Sequence, residues 1–404
     1  MKQNRTFPEA TVTKKQENRL KNGHPWVYED EILNDISDIP NGSLIDVFGM
    51  KHNYLGTGLY SAASKIKVRI LMQNANESFD DAYFARKVRH AVDYRREVMG
   101  GNFSACRLIH GESDGLPGVT ADRYGDVIVC EIASYGMEIR KKALYHALME
   151  IFEEIGEPLA GIYERNESDL RLKEGLPQYK GWALGETSSN IIHIRENGLL
   201  FEVDIENGQK TGFFLDQKYN RLCVRKIAHG KKVLDCCTHT GSFALNAAAG
   251  GALSTEAVDI SETALQTARR NAELNGLEDK IVFTQADVFE LLEKKIAAKE
   301  KYDLIILDPP AFTKSRKTVR NAKSGYQAIN TMAARLLKKG GYLATCSCSH
   351  FMTTEYFRDM LNDSAKEAGV HFRIVEERHA SMDHPVMIGI PETDYLKFFL
   401  LQAV

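Results

Sequence analysis

From about Ile191 onward, short apolar runs of strand length alternate with segments of helical periodicity. The runs are KKVLDCC, STEAVDI, KIVFTQAD, KYDLIILD, GGYLATCSCS, FRIVEE and YLKFFLLQA. Parallel strands need crossover connections, and helices between strands supply them, so the pattern predicts a mostly parallel, doubly wound α/β sheet. The stretch Ser261 to Leu274 carries the grammar of one connecting helix. Ser261 is the N-cap, Glu262 sits in the first turn, Ala264, Leu265, Ala268 and Ala272 form the apolar stripe, and Asn275-Gly276 is the stop. The last two runs lack a long helix between them and predict a hairpin at the sheet edge.

At 404 residues the chain is too long for one ordinary core, and two or three domains are expected. Lys14 to Lys21 reads as a polar helix. Between Ser43 and Met72, SLIDVF, YLGTGLYS and KIKVRILM alternate with period two, which predicts a small β domain over 1–73. Gln73 to Ser78 reads as a linker. A helical face through Ala82, Phe84, Val88, Ala91 and Val92, a strand pair around Gly125 and a helix near Lys141 to Ile155 give an α+β middle domain over 78–190. The sheet then occupies 191–404.

Composition narrows the function. With 43% hydrophobic and 26% charged residues, a wholly disordered or collagen-like chain is excluded. The 52 basic residues against 55 acidic ones leave a net charge of −3, so any nucleic-acid contact must use a local basic surface. No apolar run approaches the ~18–20 residues of a membrane helix. The opening MKQNRTFPEATVTKKQENR lacks the apolar core of a secretory signal, so a cytoplasmic protein with no membrane partner is expected. The seven cysteines, odd in number and without a C-x-x-C pair, predict free thiols and no metal site.

In open α/β sheets, ligands collect at the carboxyl ends of the strands. The first strand of the sheet runs into Asp235-Cys236-Cys237-Thr238-His239-Thr240-Gly241-Ser242, and the second ends at Asp259, about 18 residues beyond Gly241. That separation is similar to the spacing of a ribose-binding acid in dinucleotide sites. The loop has one glycine and not G-x-G-x-x-G, whereas a pyrophosphate demands close backbone approach at several points. S-adenosylmethionine, which carries no phosphate, is therefore preferred over NAD. Asp287, at the end of the third strand, is placed toward the adenine amino group. Helix or turn capping is the alternative role for each acid taken singly.

The fourth strand finishes in Asp308-Pro309-Pro310-Ala311-Phe312. Consecutive prolines fix a stiff, non-helical edge that can present the Asp308 carboxylate to the exocyclic amine of a flipped base, a group that only donates. The fifth finishes in Thr345-Cys346-Ser347-Cys348-Ser349. Alternation puts both cysteines on one face, with Cys348 nearer the strand end and the better nucleophile candidate. A small buried core residue is the alternative for a lone cysteine. Lys314, Arg316, Lys317, Arg320 and Lys323 follow, a run that is either a solvated face or a phosphate contact. Tyr326 stacks or packs. His239 and His350 read as surface or capping residues, and Cys236 and Cys237 as packing residues.

Several strings are jointly specific: RLIHGESDGLPGVTADRYGD from Arg107, GQKTGFFLDQKYNR from Gly208, DPPAF, GYLATCSCSHFMT and DHPV from Asp383. Together they resemble the ribosomal RNA large-subunit methyltransferase I family, and NRLKNGHPWVYEDEI with its β segment resembles that family's N-terminal PUA barrel. The resemblance implies a Rossmann-like class I methyltransferase sheet that forms 5-methylcytosine in 23S ribosomal RNA. It places the family nucleophile on Cys348 and D-P-P on Asp308, Pro309 and Pro310. The T-G-x-x-L-D-Q motif falls on Thr211, Gly212, Leu215, Asp216 and Gln217, with Phe213 and Phe214 between. Asp235, Thr240, Gly241 and Asp259 match the cofactor loop and its acid. Many other RNA cytosine methyltransferases carry a second cysteine after D-P-P, where this chain has Ala311, so the base that takes the C5 proton stays unidentified.

The expected function is 5-methylcytosine formation in large-subunit ribosomal RNA through Cys348, with Asp308 as its catalytic partner. Phe214, Asp216, Gln217, Asp235, Thr240, Gly241, Asp259, Asp287 and Asp308 are expected at the cofactor. Pro309, Pro310, Phe312, Lys314 and Arg316 are expected at the substrate. The alternatives are transfer to a base nitrogen with Cys348 idle, or an RNA-binding assembly factor without turnover. Strand edges and the middle domain are compatible with a homodimer.

Overall fold

The computed structural model describes residues 6–312 and 319–404. Two compact units divide the chain, and neither is a single run of sequence. One takes the chain up to Ile192 together with Val203–Phe214 and Met382–Thr393; the other takes His193–Glu202, Leu215–Ser381 and Asp394–Val404.

The first unit opens with β1 (Glu9–Val12), α1 (Lys14–Lys21), β2 (Trp26–Tyr28), β3 (Leu44–Gly49), β4 (Tyr54–Tyr60) and β5 (Ile66–Met72). These strands form one sheet in the order β1-β3-β4-β5-β2. Its inward positions, among them Val12, Val27, Ile45, Val47 and Val68, make the small core that the period-two pattern predicts. Then follow α2 (Asp81–Met99), β6 (Ala105–His110), β7 (Val119–Tyr124), β8 (Val127–Ile132), α3 (Tyr135–Glu138), α4 (Lys141–Glu154), β9 (Gly161–Asn166), α5 (Asp169–Lys173) and β10 (Tyr179–Gly185). They build a second sheet in the order β10-β9-β8-β7-β6. Asp80 caps α2 through the Tyr83 amide at 3.0 Å.

Buried ion pairs anchor the two late segments that return to this unit. Arg107 pairs in bidentate fashion with Asp122 at 2.8 Å, and Thr211 donates to the same carboxylate at 2.6 Å. The fully buried Arg95 pairs with Asp114 and also donates to the Asp383 carbonyl at 3.0 Å. Asp383 in turn accepts from the Arg107 amide at 2.9 Å. The strings from Arg107 and Asp383 that carry the family resemblance thus include buried polar ties within this unit.

A hairpin of β11 (Ile191–Glu196) and β12 (Leu199–Asp204) follows. Its two-residue turn, Asn197-Gly198, has φ of 52° and 80°, the turn class that Asn-Gly favours.

The second unit holds α6 (Lys218–Ile227), β13 (Lys232–Cys236), α7 (Ser242–Ala249), β14 (Ser254–Asp259), α8 (Glu262–Glu273), β15 (Ile281–Gln285) and α9 (Val288–Ala297). It continues with β16 (Tyr302–Leu307), α10 (Val319–Leu336), β17 (Leu337–Ser347), α11 (Thr354–Ala368), β18 (Phe372–Arg378) and β19 (Lys397–Ala403). Seven strands order as β15-β14-β13-β16-β17-β19-β18. The first five are parallel, and β19 runs antiparallel between β17 and β18. This is the doubly wound sheet with a hairpin edge that the alternation predicts. One face packs Leu234, Ile305 and Leu343 against Leu292, Tyr326 and Phe357 from helices. The other packs Val233, Ile306 and Ala344 against Val224 and Phe243. Helix α8 begins as expected, with the Ser261 side chain accepting from the Ala264 amide. Among the described residues no helix is long and apolar enough to cross a membrane.

Candidate active site

Strand register gathers the chemistry at one edge of the sheet. Cys236 pairs with Val258 on one side and Leu307 on the other, and Leu307 pairs with Thr345. One residue further along, Asp259, Cys237, Asp308 and Cys346 therefore form a row across four strands. Cys348 lies two residues beyond that row, just past the end of β17.

The loop between β13 and α7 is shaped by backbone conformation. Cys237, His239 and Gly241 have φ of 61°, 51° and 81°, alternating with ordinary residues. Such alternation turns successive amides toward one concavity, and two non-glycine residues held at positive φ are a cost that a functional loop characteristically carries. Gly241 is needed twice over: beyond its φ, a Cβ there would sit 2.7 Å from Leu245 Cδ1 and 2.9 Å from Ala268 Cβ. Asp259 holds the loop by accepting from the His239 amide at 2.8 Å and from Ser261 at 2.9 Å.

Asp235 is fully buried beneath this loop. Its Oδ2 accepts from Thr238 at 2.5 Å and from the Ala244 amide at 2.9 Å. Burial pushes its carboxyl up to about 7; the hydroxyl and amide oppose the rise, and the Asp308 and Asp259 carboxylates add to it. Asp235 Oδ1 and Thr240 Oγ1 are buried with no hydrogen-bond partner among the described residues. Two unmet polar atoms, three converging carboxylates and a glycine cradle suit a cationic ligand that also carries hydroxyl and amine donors. S-adenosylmethionine has that character.

Asp308 follows β16 and is half-buried. A chain of amides orients it: Arg378 Nε donates to Asn220 Oδ1 at 3.0 Å, Asn220 Nδ2 to Gln217 Oε1 at 2.7 Å, and Gln217 Nε2 to Asp308 Oδ1 at 3.0 Å. Because each amide is set by the one before it, the last can only donate to the carboxylate. The buried Cys346 thiol also lies against Asp308 and Gln217, and burial, with Asp308 next in effect, raises its pKa far above the ordinary thiol range. Cys346 is a core residue, clustered with Phe398 and Ala344. Cys348 is half-buried.

The remaining expected residues fall as follows. Asp216 is buried and its Oδ2 accepts from Tyr395 at 2.5 Å, while its carbonyl accepts from the Ser381 amide. Phe214 belongs to the first unit, where Lys210 Nζ lies 4.4 Å from its ring centroid. Asp287 is exposed and caps α9 through the Phe289 and Glu290 amides, which is the capping alternative. Pro309 is buried, Pro310 is exposed, and Phe312 makes an edge contact with Tyr326 at 4.7 Å. Lys314, Arg316 and Lys317 lie outside the described residues. Lys323 pairs with Asp363 at 2.8 Å, so α10–α11 packing claims it as an ordinary helix ion pair. Tyr326 is a core residue. His239 is half-buried and held at about 4 by that burial, and His350 is exposed.

Sequence reasoning missed Asn220, Arg378, Tyr395 and Lys397. A signal existed for one of them: Lys397 is a lone charge inside the apolar run KFFLLQA, and a charge in a buried strand calls for a partner or a task.

The family described as S-adenosylmethionine-dependent methyltransferase matches residues 176–391, and a PUA-like domain matches 10–73. A solved chain described as a SAM-dependent methyltransferase from Streptococcus mutans superposes with a TM-score of 0.83 at 22% identity, over 98% of this chain and 100% of its own. A second, complexed with SAH, gives 0.83 at 21% over the same shares. Fold and site together define an S-adenosylmethionine-dependent methyltransferase with an N-terminal PUA-like domain. The Ribosomal RNA large subunit methyltransferase I of Klebsiella pneumoniae (strain 342) is 38% identical over 98% of this chain and 99% of its own length. That of Shewanella amazonensis is 40% identical over 95% and 96%. The chain belongs to the ribosomal RNA large subunit methyltransferase I family.

Proposed function

We propose that the protein methylates C5 of a cytosine in large-subunit ribosomal RNA, with Cys348 as nucleophile. The observation that carries this reading is the adjacency of a half-buried thiol past the end of β17 and a carboxylate past the end of β16. Cytosine C5 is a poor nucleophile until the ring is saturated at C6. The Cys348 thiolate adds at C6, and the electron pair displaced to C5 attacks the methyl group. S-adenosylmethionine supplies that methyl on a sulfonium and leaves as neutral S-adenosylhomocysteine. A base then takes the C5 proton, and the thiolate is expelled as the C5–C6 double bond reforms.

Asp308 accepts from the cytosine amino group and so holds the ring. A carboxylate has about four acceptor sites, and the donor from Gln217 does not exhaust them. Asp235, Thr240, Gly241, Asp259, Asp216 and Gln217 hold the cofactor. Pro309, Pro310 and Phe312 shape the base pocket. The strand-built domain over 1–73 binds RNA, the middle domain over 78–190 extends that surface, and 191–404 performs the transfer.

A second reading rests on the same Asp308-Pro309-Pro310 edge: transfer to a base nitrogen, for which the carboxylate suffices and Cys348 is idle. Incubation with labelled cofactor and undermethylated ribosomal RNA, followed by nucleoside analysis, separates the two. Cys348→Ala is expected to abolish 5-methylcytosine while cofactor binding survives. Full activity in that variant would remove the covalent scheme.

A further inference from the structure

Lys397 opens β19 and is 2% exposed. It pairs across the sheet with Ser347, the residue before Cys348. Its Nζ donates to the carbonyl of Ser349, the residue after Cys348, at 2.6 Å, and to the carbonyl of Tyr395 at 2.7 Å. Consecutive Cα atoms are about 3.8 Å apart, so the amine is clamped within a residue's length of the thiol-bearing segment. Both hydrogen-bond partners are neutral carbonyls. Neutral carbonyls recover only part of the desolvation cost of a buried ammonium, and the negative groups that act on this one are the Asp394 carboxylate and the Cys348 sulfur.

We propose that Lys397 is a positioning residue for Cys348: its buried ammonium, fixed on the carbonyls of Ser349 and Tyr395, holds the Cys348 sulfur as a thiolate ready for attack. The role rests on Cys348 being the nucleophile. Among the described residues, the titratable groups acting on Lys397 or lying beside Cys348 include Asp394, which pairs with His379, Asp308 from β16, Cys346 from β17 and Tyr326 from α10. Lys397 brings a positive charge to the segment that carries Cys348. Burial lowers Lys397 to about 8, with Asp394 and Cys348 acting the other way. A Coulomb attraction is mutual, so whatever the sulfur does for the ammonium, the ammonium does for the sulfur. Below about pH 8 the lysine is mostly charged and the support is present; above it the support fades.

The test reads the thiol directly. The full chain is pulsed with iodoacetamide between about pH 6 and pH 10, and alkylation of the Cys348 peptide is followed by mass spectrometry. The wild-type midpoint is expected below the ~8.5 of a free thiol. Lys397→Met should raise it by about one unit, an approximately tenfold slower reaction near neutrality, and Lys397→Arg should restore it. A wild-type midpoint at or above that of a free thiol overturns the proposal whether or not the methionine variant folds. A folded Lys397→Met protein whose profile overlays the wild type overturns it equally. Neither result touches the nucleophile assignment, which the 5-methylcytosine content made by Cys348→Ala decides separately.

Discussion

Asp308, the carboxylate proposed to hold the base, accepts from Gln217, which is turned by Asn220, which in turn answers to Arg378. Gln217→Leu keeps the volume and removes the donor. Turnover is expected to fall by roughly tenfold or more, since a mispositioned or unpaired buried polar group costs about 1–3 kcal/mol. The thermal midpoint should fall by a few degrees as well, because the buried Asn220 amide loses its acceptor. Steady-state methylation of ribosomal RNA beside a melting curve checks both, and unchanged turnover would show the amide chain to be packing alone. At this scale the sequence carried much: Asp308 and Cys348 were legible as polar residues ending apolar runs, and Gln217 through its motif. Asn220 and Arg378 carried no local signal, because their role consists in touching residues 3 and 158 positions away.

Among the elements, the β13–α7 loop concentrates the most constraint in the fewest residues. Gly241→Ala forces a side chain into φ +81° and into contact with both Leu245 of α7 and Ala268 of α8. We expect a loss of about 2 kcal/mol or more of stability from the combined strain and overpacking. Cofactor affinity should weaken as well, read by calorimetry with S-adenosylmethionine. A variant as stable and as tight-binding as the wild type would mean that the loop relaxes freely. The strands and helices of the sheet were readable because burial on both faces and helical amphipathicity each leave a periodic trace. Strands β1 and β2 are short and β6 and β10 are sheet edges, and these were not readable; β9 and the β11–β12 hairpin were missed as well, although Asn197-Gly198 carries a turn signal.

Across the whole molecule, acid should act through half-buried imidazoles. Burial, with the Arg107 guanidinium next in effect, holds His110 well below the ordinary histidine range, and burial holds His239 at about 4. In the unfolded chain both titrate near ~6.5. The unfolded state therefore binds more protons in that window, so the stability these neutral rings support is complete above about pH 6.5 and is lost as pH falls toward 4. Asp235, raised by burial, has the opposite sign and offsets part of the slope. Melting curves from about pH 8 to pH 5 should show the midpoint falling below about 6.5. His239→Asn, a residue that tolerates left-handed backbone, should flatten that fall. An unchanged slope would place the acid sensitivity elsewhere.

Periodicity, caps and turn residues are local, and so the sequence alone determined that the chain builds a doubly wound sheet behind a small β domain, and which residues end its strands. Tertiary structure decided what no window of sequence contains. It set the row that brings Asp259, Cys237, Asp308 and Cys346 side by side, the return of 203–214 and 382–393 to the first unit, and the clamp that puts Lys397 against the end of β17. Register, insertion and burial arise from contacts between distant segments, and their energies depend on both partners at once.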